Sequence, residues 1–273
     1  MSIKTILVHA DPGPGCDRRV VLATQVADLF GAGMLGVGAE VFDPILTSGD
    51  PVVDGGLIAA VRRRIEENLP AAEKHFRALT AGRADVCWAA AEDYPDRVMA
   101  LHARGADLIV ASRPGRGEAP TSFPRPADLI MQAGAPVLMG ADIETPFTGE
   151  RVIVGWRDKR ESRRALTDSL PFLKRAKSVV LAIVNGEVGI EAEQSALRDV
   201  LRRLAGHGVE ATVEMVVKGR GSIADALEET AARRGADLIV VGAYGHSRLR
   251  EWALGGVTED FIAASSKYVL FSH

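Results

Sequence analysis

Gly242-Ala-Tyr-Gly245 is followed, after nine intervening residues, by Gly255-Gly256-Val257-Thr258. Glycines at such positions let main-chain amides approach an anion without obstruction, and the amino-terminal end of a following helix adds positive charge. Gly255, Gly256, Val257 and Thr258 stand just before Phe261 and Ile262, placed to open a helix with amides and a hydroxyl aimed outward. Phosphate oxygens need such donors. The same spacing also suits turns and close helix packing, and the residues alone leave both readings open. His246 and Arg248 lie inside the loop, where a cation either touches phosphate or is solvated. Trp156 follows an apolar run and either stacks on a base or packs.

Other chemistries find less support. No Gly-x-x-x-x-Gly-Lys-Ser/Thr loop occurs, and Gly13-Pro-Gly15 and Gly219-Arg-Gly221 lack the lysine that neutralises a transferred phosphate. His75, His102 and His207 have no acidic residue or cysteine at ligand spacing, so no metal site is expected, and His9, at a strand end, is read as making a structural hydrogen bond rather than as a catalyst. Cys16 and Cys87 form no Cys-x-x-Cys pair and are read as buried small hydrophobes. Ser272 and His273, at the chain end, are expected to fray. A net charge of -3, with 25% charged residues, gives no electrostatic reason to bind nucleic acid. No apolar run approaches the roughly 20 residues of a membrane span, and the run near Met1 is too short for a signal peptide, so the expected location is cytoplasmic.

The elements that must hold the glycine segment come in two series. Arg104-Gly-Ala-Asp-Leu-Ile-Val110 recurs as Arg234-Gly-Ala-Asp-Leu-Ile-Val240, which reads as one small fold written twice. Continuous apolar runs alternate with helix-period stretches, the pattern of a parallel sheet covered by helices. Strands are expected at 5–9, 34–39, 85–88, 108–111 and 136–139, and again at 151–155, 178–184, 210–217, 238–242 and 268–271. Between them, Ile58, Val61, Ile65, Leu69, Ala72, Phe76 and Leu79 form one core-facing stripe, and Leu197, Val200, Leu201 and Leu204 another. Ser222 is expected to cap a helix through Arg233 that Gly235 stops. Matching elements are 146 residues apart at the first strands and 130 at the repeated heptapeptide, so about 16 extra residues fall in the first half, at 42–56. The expected domains are 1–145 and 146–273, each an open five-stranded α/β sheet with helices on both faces.

Strand 238–241, Gly-x-x-Gly, nine residues, Gly-Gly and the final Tyr268-Val-Leu-Phe271 resemble the carboxyl-terminal half of the universal stress protein family. The opening Ile6-Leu-Val-His-Ala-Asp11 resembles that family's first strand, ending in the acid that its ATP-binding members place against adenine. The resemblance implies a tandem member, a strand order of 3-2-1-4-5 in each half, and pairing of domains through their last strands. It implies phosphate contacts at Gly242, Gly245, Gly255, Gly256, Val257 and Thr258 and an acid against adenine at Asp11. The expected nucleotide-binding set adds His246, Arg248 and Trp156 from the loop and strand end, with Arg157 and Asp158, of which Asp158 replaces the second-half acid or Arg157 instead meets phosphate. Arg157 stands where the family's second-half acid would be, Asp158 is the nearest substitute, and Gly256 replaces a hydroxyl residue. In the first half Ser112 replaces the first glycine, and Pro120, Pro124 and Pro126 remove amide donors from the phosphate region.

ATP or another adenine nucleotide, with or without Mg, is therefore expected in the second domain alone. The chain reads as a stress-response regulatory or interaction protein, with slow ATP hydrolysis at most, because no general base or arginine clamp is placed. The rival readings are a nucleotide-free interaction module of the same fold and an adenylate-using enzyme such as an adenylyl transferase. Protein partners are expected but unidentified. The two halves are expected to form an intramolecular pseudo-dimer, since apolar last strands would otherwise be bare sheet edges. Dimerisation of whole chains stays open.

Overall fold

The structure, a computed structural model, describes residues 2–13, 15–42, 55–113, 123–140, 146–184, 191–245 and 256–273, with the backbone alone for 191–194. It forms two compact units, Ile3–Ala135 and Pro136–His273.

The first unit contains β1 (Thr5–His9), α1 (Cys16–Phe30), β2 (Gly33–Ala39), α2 (Gly55–Leu79), β3 (Val86–Ala91), α3 (Pro95–Ala103), β4 (Leu108–Ala111) and α4 (Pro126–Gln132). Its strands lie parallel in the order β3-β2-β1-β4. Ile6, Leu7, Val8, Leu108, Ile109 and Val110 have no exposure, as continuous apolar strands covered on both faces require. Along α2 the expected stripe is buried at Val61, Ile65, Ala72 and Phe76, but Ile58, ahead of the first buried turn, is 42% exposed. The two cysteines differ: Cys16 is buried in α1, whereas Cys87 meets solvent on the outer strand β3, correcting its reading as a core residue.

The second unit contains β5 (Val137–Met139), β6 (Arg151–Gly155), α5 (Arg160–Asp168), α6 (Leu170–Leu173), β7 (Ser178–Val184), α7 (Glu191–Gly206), β8 (Ala211–Val216), α8 (Ile223–Arg234), β9 (Leu238–Gly242), α9 (Val257–Ala264) and β10 (Tyr268–Ser272). Strands β8-β7-β6-β9-β10 run parallel, which is the order 3-2-1-4-5 that the family resemblance implies. Beside β10, β5 runs antiparallel, with Val269, Leu270 and Phe271 opposite Met139, Leu138 and Val137.

The repeated heptapeptide has one structural job in both units. Asp107 Oδ2 accepts hydrogen bonds from the amides of Lys4 (2.8 Å) and Thr5 (3.0 Å), pinning the entry to β1. Asp237 Oδ2 does the same ahead of β6, accepting from the Thr148 amide and hydroxyl and the Gly149 amide at 2.8–2.9 Å. Ser222 forms a full capping box with Asp225, and Gly235, at φ 62°, closes α8 in the left-handed region that glycine adopts without strain. Ser222→Ala removes the acceptor for the Asp225 amide and is expected to lower stability by about 1 kcal/mol in urea unfolding.

Candidate functional site

The carboxyl end of β9 is where the glycine segment starts, and Tyr244 carries the turn. Its φ of 53° lies in the left-handed region, a conformation that costs a non-glycine residue of order 1–3 kcal/mol and persists only where neighbours hold it. Bonds to the first turn of α9 help to hold it here. The Tyr244 amide donates to Thr258 Oγ1 (3.4 Å), and its hydroxyl donates to Glu259 Oε1 (2.7 Å). The Gly242–Gly245 turn is thereby tied to the first turn of α9. Gly256 is the N-cap of α9, with extended backbone and no side-chain cap among the described residues, and Val257 and the buried Thr258 follow it in the first turn. Glu259 and Asp260 occupy the first turn and already partner the positive helix end.

The glycines at the two ends of the turn meet different things. A Cβ added at Gly242 would lie 2.5 Å from the carbonyl carbon of Glu161 and 2.7 Å from both the Glu161 carbonyl oxygen and the Ser162 nitrogen. Gly242 is therefore what lets the start of α5 lie directly on β9. At Gly245 the nearest atom to an added Cβ is the Glu161 carboxylate, with Oε2 at 3.1 Å. Glu161 keeps 13% of its side chain exposed, and Arg160 Nε stands 3.6 Å from its other oxygen. Sequence reasoning passed over this carboxylate beside the glycine turn. Its signal is its position four residues after Arg157, at the opening of the helix that follows β6.

Beside β9, the end of β6 brings Gly155, Trp156, Arg157 and Asp158 to the same end of the sheet. Trp156 is only 6% exposed, so most of its indole is in the core. Arg157 is exposed, and Asp158 accepts from Arg163 Nε (2.8 Å) and Nη2 (2.6 Å). His246, Arg248 and Gly255, like Trp252, lie outside the described residues. Among the described residues no group of three or more His, Cys, Asp or Glu is placed to hold a metal ion. Ser272 and His273 are not frayed: Ser272 is buried at the end of β10 with its hydroxyl donating to Asp168 Oδ2 (2.5 Å), and His273 Nδ1 lies 3.1 Å from the Ala243 carbonyl. The sheet ladder continues to the last residues, which composition alone does not reveal.

Asp11 belongs to the first unit and sits in a buried charge network. Arg19, on α1, is 1% exposed; its Nη2 pairs with Asp11 Oδ2, its Nε donates to the His9 carbonyl (2.7 Å), and its Nη1 donates to Ser112 Oγ (2.9 Å). Its guanidinium lies over the Phe123 ring, 5.1 Å from the centroid. Burial alone would raise the Asp11 carboxyl, but the His9 ring at 3.3 Å and the Arg19 charge outweigh it, so the group titrates below its ordinary value. Arg19 is a second residue that sequence reasoning missed. Its signal was an arginine in register with Cys16, Val20 and Ala23 on the apolar side of α1.

The universal stress protein family model matches residues 150–273. Among solved structures, a universal stress protein from Archaeoglobus fulgidus DSM 4304 is similar over 98% of this chain and 95% of its own, with 15% identity and a TM-score of 0.67. A functionally unknown protein, PA1789, from Pseudomonas aeruginosa PAO1 is similar over 99% of this chain and 92% of its own, with 18% identity and a TM-score of 0.57. A universal stress protein in complex with cAMP is similar over 45% of this chain and 97% of its own, with 25% identity and a TM-score of 0.37. No curated protein matches. Among the described residues, no helix is long and apolar enough to cross a membrane. Residues 150–273 match the universal stress protein family, and over 98% of its length the chain has the fold of a solved universal stress protein.

Proposed function

We propose that the chain is a tandem universal stress protein, with domains 1–145 and 146–273, whose second domain binds ATP or another adenine nucleotide, with or without Mg. The observation that supports this reading is the Tyr244 amide bonded to Thr258, which ties the Gly242–Gly245 turn at the carboxyl end of β9 to the first turn of α9, whose N-cap Gly256 carries no side-chain cap among the described residues. In open α/β sheets ligands gather at that end of the strands. The nucleotide state would alter contacts with protein partners in the cytoplasm, and the two domains would associate as a pseudo-dimer through their last strands. Hydrolysis would be slow at most.

ATP is expected to stabilise the folded chain by about 2.7 kcal/mol at a hundredfold excess over its Kd, because it binds only the native state. Thermal unfolding with and without millimolar ATP reads this directly. Gly245→Val is the matched control, since at Gly245 the nearest described atoms to an added Cβ are those of the flexible Glu161 side chain. The variant should fold and lose the ATP-dependent shift.

The nucleotide-free interaction module is the second reading, and packing on α5 favours it by accounting for Gly242 without a ligand. Absence of any shift with ATP, ADP, AMP or cAMP at millimolar concentration would leave that reading standing. Pyrophosphate release on addition of a second substrate would instead identify an adenylyl transferase.

A further inference from the structure

The two units align residue by residue at the end of the sheet where the site is proposed. Ile6, Leu7 and Val8 pair with Leu108, Ile109 and Val110, and Val152, Ile153 and Val154 pair with Leu238, Ile239 and Val240. Positions on the first strand of each unit therefore differ by 146 (152 − 6), and those on the fourth by 130 (238 − 108). The helix after the first strand keeps the same offset: Cys16, Arg19, Val20 and Ala23 are buried on one side, and so are Ser162, Ala165, Leu166 and Ser169. By this register His9 matches Gly155, Asp11 matches Arg157, Arg19 matches Ala165 and Ser112 matches Gly242. Where the second unit has two glycines and an alanine, the first has a histidine, an arginine and a serine.

The added arginine finds its partners around it, one of them the added Ser112 hydroxyl. Asp11, the His9 carbonyl and the Ser112 hydroxyl receive its edge donors, and Phe123 covers its face. A buried cation is tolerated only with such complete pairing. A carboxylate, two neutral acceptors and an aromatic ring are also what a planar, delocalised cation needs from a binding site. We propose that this is a built site for a planar cation, and that its occupant is the chain's own Arg19. The first unit is thus closed by an internal ligand and takes no small molecule there. The inference stands whether or not the second unit binds a nucleotide.

Chemical complementation tests it. Arg19→Ala empties the site while leaving Asp11, Ser112 and Phe123 in place. Its melting temperature is expected to fall and to be restored saturably by methylguanidinium chloride at tens of millimolar, far below denaturing concentrations. Sodium chloride and tetramethylammonium chloride at equal ionic strength should restore nothing, and the wild-type chain should not respond. In Asp11→Asn/Arg19→Ala the affinity for methylguanidinium should drop at least tenfold. Should Arg19→Ala not fold by itself, methylguanidinium should restore its circular dichroism, which is the same readout from the unfolded side. Destabilisation without rescue, rescue equally strong in the double variant, or an Arg19→Ala chain as stable as wild type would each overturn the proposal.

Discussion

Asp11→Ala is expected to destabilise the first unit by about 3–5 kcal/mol, the usual cost of leaving one partner of a buried ion pair without its countercharge. Arg19 is fully enclosed, and its two remaining acceptors, the His9 carbonyl and the Ser112 hydroxyl, are neutral. Asp11→Asn keeps the shape and the Gly13 amide contact but not the charge, so most of the loss should persist. The pH dependence separates charge from packing. Because the folded-state pKa of Asp11 is depressed, the stabilisation is fully present above the unfolded carboxylate value of about 3.9 and disappears as pH falls through the folded value. The gap between wild type and Asp11→Asn should therefore be widest at neutral pH and close progressively below about pH 4. Urea unfolding followed at Trp88, which packs on Phe76 in the first unit, measures it once Trp156 and Trp252 are replaced by phenylalanine. A gap that stays constant from pH 7 to pH 3 would mean that Asp11 contributes shape and not charge.

The network also marks where the sequence stops being informative. Strand positions were legible because β1, β4, β6 and β9 are continuous apolar runs, and a run with no polar alternation has only one place in a covered sheet. The capping box at Ser222 and the glycine stop at Gly235 were legible because both act within one helical turn. Identical local sequence was not always enough: Gly105 follows the same arginine as Gly235, yet α3 ends at Ala103 and its cap residue Arg104 stays right-handed. The helix upstream, and not the heptapeptide, decides how the turn closes. Arg19 was missed because its partners lie 8, 10 and 93 residues away, and hydrophobic periodicity treats a charged residue on an apolar stripe as noise. For Gly242 the sequence left ligand approach and helix packing open, and the packing role becomes visible only in the position of the α5 backbone.

Gly242→Ser, which writes into the second unit the residue that the first carries as Ser112, is expected to cost about 2–3 kcal/mol with no nucleotide present. The added Cβ would sit 2.5 Å from the Glu161 carbonyl carbon, and main-chain atoms at the start of a helix cannot swing aside as a side-chain tip does. To make room, α5 would have to lift from β9, loosening the buried contacts of Ser162, Ala165 and Leu166. Ser112 is accommodated in the first unit with its hydroxyl bonded to Arg19, and Ala165 offers no such partner. Gly245→Ser should cost under about 0.5 kcal/mol, since the nearest described atoms to its Cβ belong to the movable side chain of Glu161. Urea unfolding of the two variants without ligand reads the difference. If both glycines served phosphate approach alone, neither change would matter in the absence of nucleotide, so equal and small costs would refute the packing role. A large cost at Gly242 alone would mean that lost binding in a Gly242 variant reports a displaced helix, leaving Gly245 as the position where the phosphate cradle is properly tested.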